Sequence, residues 1–569
     1  MDKIWLKNYQ QGVPYEINPD SYASIPEIFD LSCQNYAKKI AYTNLGENLS
    51  YQKLQRHANN FASFLQSDCG VKKGDRVGIM MPNSLQYPIC MFGALKTGAI
   101  IVNFNPLYTA DEVSHQIKDS GIKVMVVMTN FANIVQESLK TTAVEYVIVT
   151  GFGDFMPWWK AIAMNFILKY LKKIVKPWHI AGAKLLPHVL TKGAKKTFQP
   201  VEIHNSDTAY IQYTGGTTGI AKGAMLTHRN MIANMEQANA WLKPVLTSDQ
   251  ELVVTALPLY HIFSLLANCL LFMKLGARNL LITNPRDIPG FISELAKYPF
   301  TAISGVNTLF NALLNNSKFV VLDFSYLRLT LGGGMAVQRS VAERWESITH
   351  NPLLEAYGLT ESSPAVCISP MNLKHFNGSI GLPIPSAEVS IHDEEGVEVA
   401  LGERGELWVR GPQVMKGYWN RPEDTAKVLT EDGWLKTGDI ATVDDQGFVR
   451  IVDRVKDMII VSGFNVYPNE IEDALAFHPG IKEVVVVGIP SNISGETVKA
   501  FIVPKDGVVL TKAEIMSFSR EHLTGYKLPR QIEFRSSLPK SPVGKILRRV
   551  LRQEELSKMA EKQLQKKRL

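Results

Sequence analysis

The stretch of this sequence best suited to hold phosphate is a run of glycines and threonines followed by a lysine. Residues 213–228 read YTGGTTGIAKGAMLTH. Glycine tolerates positive φ, so backbone N–H groups of such a loop can converge on phosphate oxygens, while hydroxyls and a lysine add donors and charge. The P-loop pattern places serine or threonine after its lysine, but Lys222 is followed by Gly223. By itself the loop is therefore either a phosphate site of another kind or a linker.

The elements predicted around this loop favour the phosphate site. A strand is predicted at 209–214, directly before the loop, and a helix is predicted from about His228. A sixteen-residue stretch of this composition that leads from a strand into a helix is more typical of a phosphate site than of a linker. The candidate phosphate contacts are Thr214, Gly215, Gly216, Thr217, Thr218, Gly219 and Lys222.

Strand-like and helical patterns alternate through most of the chain, which predicts an α/β fold with parallel sheets covered by helices. An amphipathic helix is predicted at 51–66. The run 262–273 is the longest apolar one; it is too short to span a bilayer and is expected in the core. Buried strands are predicted at 74–82, 98–106, 122–128, 145–150, 209–214, 252–258, 301–306 and 327–334.

A chain of 569 residues is too long for one core and should divide into domains. We predict a large N-terminal domain at 1–455, which ends in a β-rich subdomain at about 385–453. In that subdomain, short alternating runs with glycine turns replace the helical pattern, and DDQGFVRIVDR at 444–454 predicts a hairpin. A small, mobile α/β C-terminal domain is predicted at 456–569.

Composition and charge indicate an ordinary folded protein of the cytoplasm. Hydrophobic residues make up 46% of the chain and charged residues 20%. The formal charge of +7 is mild for this length, so no nucleic-acid partner is expected. The five cysteines form no CxxC pair, which argues against a disulfide framework and a zinc site. The start, MDKIWLKNYQQ, has no apolar segment of the signal-peptide type.

The segment 154–193 is unusual because it is both basic and aromatic. Such a helix could lie in a membrane interface, where each lysine near an anionic surface contributes about 1 kcal/mol. The alternative is a surface helix docked on its own domain. The first interpretation predicts peripheral contact with the inner face of the membrane through 154–190. A helix over 158–179 would place Lys169, Lys172, Lys173 and Lys176 on one face and Ile167, Tyr170, Leu171 and Ile174 on the other.

Several further motifs follow the glycine loop in order, and together they carry a family resemblance. They are PLYHIF (258–263), LGGGM (331–335), YGLTESSP (357–364), GWLKTGD (433–439), DRVKDMIIVSGFNVYPNEIE (453–472) and PKSPVGKILRR (539–549). With these motifs the chain resembles the adenylate-forming superfamily of acyl-CoA synthetases, luciferases and peptide-synthetase adenylation domains. Within it, the chain is most similar to bacterial long-chain fatty acid–CoA ligases. The resemblance extends over nearly the whole sequence.

The resemblance implies a reaction for the glycine loop. The loop would hold the β- and γ-phosphates of ATP while a fatty carboxylate attacks the α-phosphorus, with Mg²⁺ as cofactor. A carboxylate is a poor electrophile at neutral pH, and its conversion to acyl-AMP supplies a good leaving group. CoA would then displace AMP to give acyl-CoA. The partners implied are a long-chain fatty acid, ATP and CoA, and many long-chain relatives are homodimers.

The resemblance also implies roles for residues around the reacting phosphate. Glu361 would be the Mg²⁺ ligand, which suits the preference of this ion for carboxylate and phosphate oxygens. Thr360 would contact the α-phosphate region. Lys545 would bridge the fatty carboxylate and the α-phosphate, stabilising charge that develops during transfer. His261 would line the junction of the acyl and pantetheine tunnels.

A second group of implied residues binds nucleotide and CoA or moves the small domain. Asp439 would accept hydrogen bonds from the ribose hydroxyls, with Arg454 assisting. Lys456 would be the hinge about which the C-terminal domain turns. In one orientation this domain would insert Lys545 for adenylation, and in the other its loop around Gly463 would form the pantetheine channel. The adenine would stack on Tyr357 beside Gly332, Gly333 and Gly334, and Gly358 is also predicted to bind the cofactor.

Other functions stay open at the level of the sequence. A close relative could deliver the acyl group to a carrier protein or stop at acyl-AMP, and a luciferase-like oxidation is a further variant. A different class is a membrane-associated fatty-acid carrier without catalysis, which would leave the phosphate motifs unused. The chain length of the acid is not determined by the sequence, because the tunnel is shaped by residues spread over 228–340. Leu265 is aliphatic where some long-chain relatives have an aromatic gate.

Overall fold

Two mixed sheets form the body of the large N-terminal domain. The computed structural model describes residues 3–214, 221–246, 251–462, 464–491, 494–541 and 544–568. One sheet has nine strands among the described residues, and its six central strands run parallel. In spatial order they are Leu382–Pro383, Ala365–Ile368, Leu353–Gly358, Leu329–Gly333, Ala302–Gly305, Leu252–Thr255, Arg278–Leu281, Ile40–Asn44 and Glu47–Ser50.

The second sheet has eight described strands and contains the arms of the glycine loop. Its strands are Gly417–Tyr418, Lys222–Thr227, Thr208–Thr214, Ile100–Asn103, Arg76–Met80, Val124–Met128, Tyr146–Thr150 and Lys184–Leu185 in spatial order. The first two are antiparallel to their neighbours, and the others run parallel. All eight predicted buried strands are therefore confirmed in these two sheets.

Helices cover both sheets, as the alternating pattern predicts. The amphipathic helix predicted at 51–66 spans Tyr51–Ser67, and the helix after the loop spans His228–Leu242, where Thr227 caps it by accepting from Asn230 N. The apolar run 262–273 is helical and buried. The other α-helices of more than four residues described in the large domain are Ile25–Asn35, Gln86–Lys96, Ala110–Ser120, Ala132–Ser138, Trp158–Phe166, Leu186–Gly193, Ile288–Leu295, Asn307–Leu314, Arg339–Thr349 and Pro422–Val428.

The chain beyond residue 385 contains a third sheet, in the region predicted to be rich in strands. An antiparallel sheet consists of Glu388–His392, Gly405–Arg410, Leu435–Val443 and Val449–Arg454, and its last two strands form the predicted hairpin. The smaller C-terminal domain has its own sheet and core. Its strands are Phe464–Val466, Ile459–Val461, Gly495–Pro504, Ile481–Ser491 and Gln531–Phe534, and its helices are Pro468–Ala476, Lys512–His522 and Arg548–Arg568.

The predicted helix over 158–179 is only partly correct. The α-helix Trp158–Phe166 continues as a π-helical turn over Ile167–Leu171 and then stops. Lys173 adopts a left-handed conformation, and Ile174 N bonds back to Leu168 O, which is a common way to end a helix. Lys172, Lys173 and Lys176 therefore lie beyond the helix and share no helical face with Lys169. Among the described residues, no helix combines the length and apolar character needed to cross a bilayer.

Candidate active site

Asp439 joins two residues that the sequence places far from one another. Its carboxylate accepts from Tyr357 Oη at 2.5 Å and pairs with Arg454 Nε at 3.2 Å. Arg454 lies opposite Asp439 on the paired hairpin strand, while Tyr357 comes from the end of a strand in the nine-stranded sheet. The carboxylate is only 6% exposed, so the ion pair and the phenol hold it in one orientation.

Lys545 enters this site from the C-terminal domain. The backbone N–H of Lys545 donates to Ser541 Oγ at 3.1 Å, and the backbone N–H of Ser541 donates to Lys545 O at 2.7 Å, so the two residues close a tight turn. Next to it, Gly544 O accepts from Thr308 Oγ1 of the large domain at 3.1 Å. The ammonium end reaches Gly334, where a Cβ would lie 3.5 Å from Lys545 Cε.

Contacts between the domains hold Lys545 in this position. Asp453, which is fully buried, accepts from Asn469 N at 2.9 Å across the boundary between them. Arg404 pairs with Glu470 at 2.8 Å on the same interface. The structure therefore represents the arrangement in which the C-terminal lysine faces the large domain.

Charge and burial together set the ionisation of Lys545 and His261. Burial and the positive charge of Arg454 together lower the pKa of Lys545 to about 8, although Asp439 and Glu361 oppose the shift. Burial lowers the pKa of His261 to about 3, and Lys545 contributes in the same direction. His261 is therefore neutral at ordinary pH. Its Nδ1 accepts from Phe263 N at 3.4 Å, which caps the buried helical run.

Four of the glycines predicted to bind the cofactor have different reasons to be glycine. A Cβ on Gly332 would lie 2.7 Å from Leu353 Cδ2, and one on Gly333 would lie 2.7 Å from Ala356 O. A Cβ on Gly358 would lie 1.9 Å from Pro364 O. These three positions are therefore required by packing within the protein. Gly334 differs, because its φ of +75° favours glycine although a Cβ there would meet no atom closer than 3.5 Å.

Glu361 follows the strand of Tyr357 in a short turn, Thr360–Ser362. Its Oε1 accepts from Tyr418 Oη at 2.7 Å, and no other described residue hydrogen-bonds to the carboxylate. Tyr418 thus occupies one of the two carboxylate oxygens. No group of three or more metal-ligating side chains occurs in the described part of the chain. One carboxylate combined with phosphate oxygens is a usual environment for Mg²⁺, so the residues present fit this ion.

The arms of the glycine loop are described, but the loop itself is not. Thr214 and Lys222 face one another at the end of the hairpin that the loop closes. The Lys222 ammonium pairs with Asp424 at 3.1 Å and lies over the ring of Tyr418, 5.3 Å from its centroid. The predicted contacts that lie outside the described residues are Gly215, Gly216, Thr217, Thr218 and Gly219, together with Gly463 of the CoA channel.

A cavity of about 950 Å³ between the domains brings together seven of the predicted site residues. Burial lowers the pKa of Lys456, which lies in the connecting turn Val455–Asp457. The predicted site residues that line this cavity are Gly334, Tyr357, Gly358, Asp439, Arg454, Lys456 and Lys545. Tyr418 and Asp424 are further residues of this site that were not predicted, because nothing in KGYWNRPED (416–424) indicates contact with Glu361 or Lys222.

Comparison with known proteins agrees with this geometry. The AMP-binding enzyme family matches residues 29–419, and the AMP-binding enzyme C-terminal domain matches residues 470–545. A long-chain-fatty-acid–CoA ligase of Yersinia pestis is 56% identical, with 98% of this chain and 99% of that protein covered. The long-chain-fatty-acid–CoA ligase of Bacillus subtilis is 38% identical, with 97% and 98% covered.

Solved structures share the fold over almost their full length. An anthranilate CoA ligase in complex with anthranoyl-AMP superposes with a TM-score of 0.84 at 24% identity, covering 95% of this chain and 99% of that one. ATP-bound MatB from Rhodopseudomonas palustris superposes with a TM-score of 0.79 at 26% identity, covering 93% and 98%. The motifs, the fold and these matches agree: the chain belongs to the AMP-binding enzyme family, whose members form acyl-adenylates.

Proposed function

We propose that this protein is a long-chain fatty acid–CoA ligase that uses ATP and releases AMP and diphosphate. The observation that carries the proposal is 56% identity to a long-chain-fatty-acid–CoA ligase over 98% of the chain. The geometry of Lys545, Asp439 and Glu361 supports it. The product acyl-CoA would serve either degradation or synthesis of lipids.

The first half-reaction needs a cation at the α-phosphate and a fixed nucleotide. Lys545, in the arrangement that faces the large domain, would bridge the fatty carboxylate and the α-phosphate, with Thr360 nearby. Asp439, oriented by Tyr357 and Arg454, would accept from the ribose hydroxyls. The loop 214–222 would hold the outer phosphates, and a free Lys222 ammonium would require its pair with Asp424 to open.

Glu361 would hold Mg²⁺ through the oxygen that Tyr418 leaves available. When bound with ATP, this ion would neutralise charge on the phosphates. The second half-reaction requires CoA to reach the adenylate, and the proposed route is the loop around Gly463 after rotation of the C-terminal domain. We place the hinge at Lys456 and the domain division at 455/456, between the strands Val449–Arg454 and Ile459–Val461.

The first test is a product assay with palmitate, ATP and Mg²⁺, with and without CoA. AMP, diphosphate and palmitoyl-CoA, with CoA required for turnover, are the expected products. Bound acyl-AMP that CoA does not discharge would favour a carrier-protein acceptor instead. ADP in place of AMP would contradict the proposed use of the glycine loop, and binding of palmitate without any nucleotide turnover would favour the non-catalytic carrier.

Contact with an anionic membrane surface is the second part of the proposal. The helical segment 158–171 exposes its apolar side, and Lys172, Lys173 and Lys176 are exposed just beyond it. Lys160 pairs with Glu47 at 2.7 Å and attaches the segment to the large domain. The exposed apolar side chains and their exposed fractions are Trp158 76%, Trp159 56%, Ile162 63%, Phe166 54%, Tyr170 57% and Leu171 68%. Apolar residues beside lysines suit the interface of a bilayer with anionic lipids.

A further inference from the structure

Tyr418 contacts both the carboxylate that would hold Mg²⁺ and the lysine at the end of the glycine loop. Its hydroxyl donates to Glu361 Oε1 at 2.7 Å, and the Lys222 ammonium lies 5.3 Å from the centroid of its ring. Tyr418 is only 9% exposed. A single buried side chain therefore connects two groups that would act on the same phosphates.

Main-chain pairing attaches Tyr418 to the hairpin of the glycine loop. The short strand Gly417–Tyr418 pairs with Lys222–Thr227, and Tyr418 lies opposite Ala224. On either side, Lys416 N donates to Met225 O at 3.0 Å and Trp419 N donates to Gly223 O at 2.7 Å. The position of the phenol relative to the strand Lys222–Thr227 is thus set by the sheet.

The same segment also holds the turn that carries Glu361. Met415 N donates to Glu361 O at 2.8 Å, so both the main chain and the side chain of Glu361 contact residues 415–418. Farther along, Asp424 pairs with Lys222 at 3.1 Å, and Thr425 Oγ1 accepts from Tyr418 N at 2.9 Å. The segment 415–425 therefore supports the metal carboxylate and the phosphate-loop lysine at the same time.

A carboxylate with one fixed oxygen presents the other in a defined direction. Groups that hydrogen-bond to a metal ligand from behind orient it and commonly affect metal affinity by about 10-fold to 100-fold. The Tyr418 hydroxyl, 2.7 Å from Glu361 Oε1, is such a group, and it fixes one of the two carboxylate oxygens.

We propose that Tyr418 is a positioning residue for acyl-adenylate formation, which orients Glu361 towards the metal that accompanies ATP. Through the strand Gly417–Tyr418 it also sets the distance between this carboxylate and the strand Lys222–Thr227. The inference rests on the proposed function, and in particular on Glu361 as the metal ligand.

The test compares Tyr418→Phe with Tyr51→Phe. Both side chains are buried, and Tyr51 Oη donates to Ala277 O at 2.8 Å, away from the site. Mn²⁺ binding to each protein, saturated with α,β-methylene-ATP, is measured from the electron paramagnetic resonance signal of free Mn²⁺. We expect about 10-fold weaker Mn²⁺ binding in Tyr418→Phe and unchanged binding in Tyr51→Phe. Palmitoyl-AMP formation by Tyr418→Phe should need correspondingly more Mg²⁺, whereas release of palmitoyl-CoA from supplied palmitoyl-AMP should not change.

A third variant separates this inference from the function on which it rests. If Glu361→Gln weakens Mn²⁺ binding but Tyr418→Phe does not, the positioning role is overturned and the metal role stands. Equal losses in Tyr418→Phe and Tyr51→Phe would also overturn it, since they would indicate a general loss of structure. If the unmodified protein makes no palmitoyl-AMP, the proposed function fails, while Mn²⁺ binding still reports on the link between Tyr418 and Glu361.

Discussion

Lys545 of the C-terminal domain lies against Gly334 of the large domain, with its Cε 3.5 Å from where a Cβ of residue 334 would be. The contact brings an ammonium to the cavity that Asp439 and Tyr357 also line. Because the two residues belong to different domains, the site is complete only while the domains keep this arrangement. The first two predictions follow from this relationship.

Lys545→Ala should reduce palmitoyl-AMP formation by about 100-fold to 1000-fold, because it removes a cation from developing charge. Formation of palmitoyl-CoA from supplied palmitoyl-AMP should stay within about twofold, because the lysine swings out for that step in the proposed mechanism. Diphosphate release and thioester formation measure the two steps. Lys540→Ala is the control, since Lys540 lies in the same loop but pairs with Glu483 at 2.5 Å. Equal losses in both half-reactions would contradict the division of roles.

The adenylation step should weaken at alkaline pH. The pKa of Lys545 is lowered to about 8, so the ammonium loses its proton as pH rises through that value and the charge that acts on phosphate disappears. We expect kcat/KM for palmitoyl-AMP formation to fall about tenfold per pH unit above pH 8. Lys545→Arg, which keeps its charge, should move this decline to higher pH. A profile that is the same in both proteins would assign the decline to another group.

Glu355 should make the stability of the large domain depend on pH. Burial raises its pKa to about 8, and Asp473 contributes, while Val337 N and Arg450 oppose the shift. The folded protein thus holds a proton that the unfolded chain releases above its usual pKa of 4.5. This contribution is fully present below that pH and is lost as pH rises towards 8, by at most about 1.4 kcal/mol per pH unit.

Glu355→Gln tests this dependence because the amide oxygen can still accept from Val337 N, which lies 3.1 Å from the carboxylate. Urea unfolding at several pH values between 5 and 9 should give a flatter pH dependence for this variant. Glu403→Gln is the control, since Glu403 is exposed. If the two variants follow the same curve as the unmodified protein, Glu355 is ionised in the folded state.

Removal of the exposed apolar residues of segment 158–171 should weaken membrane binding. Replacement of Trp158, Ile162 and Leu171 by serine should lower flotation with phosphatidylglycerol liposomes by about tenfold, because apolar area no longer enters the interface. The control replaces Val321 and Val509, which are 78% and 88% exposed elsewhere on the surface, by serine. Deletion of 154–190 should abolish flotation. Unchanged flotation in that deletion would contradict the membrane proposal.

Most of the fold was predictable because hydrophobic periodicity is local. The strands Val124–Met128 and Leu252–Thr255 are continuous apolar runs, and the structure buries both as interior strands of mixed sheets. The end of the helix at Leu171 was not predictable from periodicity. It depends on the left-handed conformation of Lys173, which the apolar pattern does not encode.

The superfamily, the α/β architecture and the residue types of the site follow from the amino-acid sequence alone, because motifs such as YGLTESSP and PKSPVGK keep a fixed order along the chain. Which of these residues meet depends on how the elements pack. Tyr357 and Asp439 are 82 residues apart, and their contact arises where two sheets of the large domain come together. Tyr418 contacts Glu361 in the same way, because its two-residue strand pairs with Lys222–Thr227 only in the folded protein. Local patterns specify elements, whereas contacts between elements depend on the packing of the whole chain.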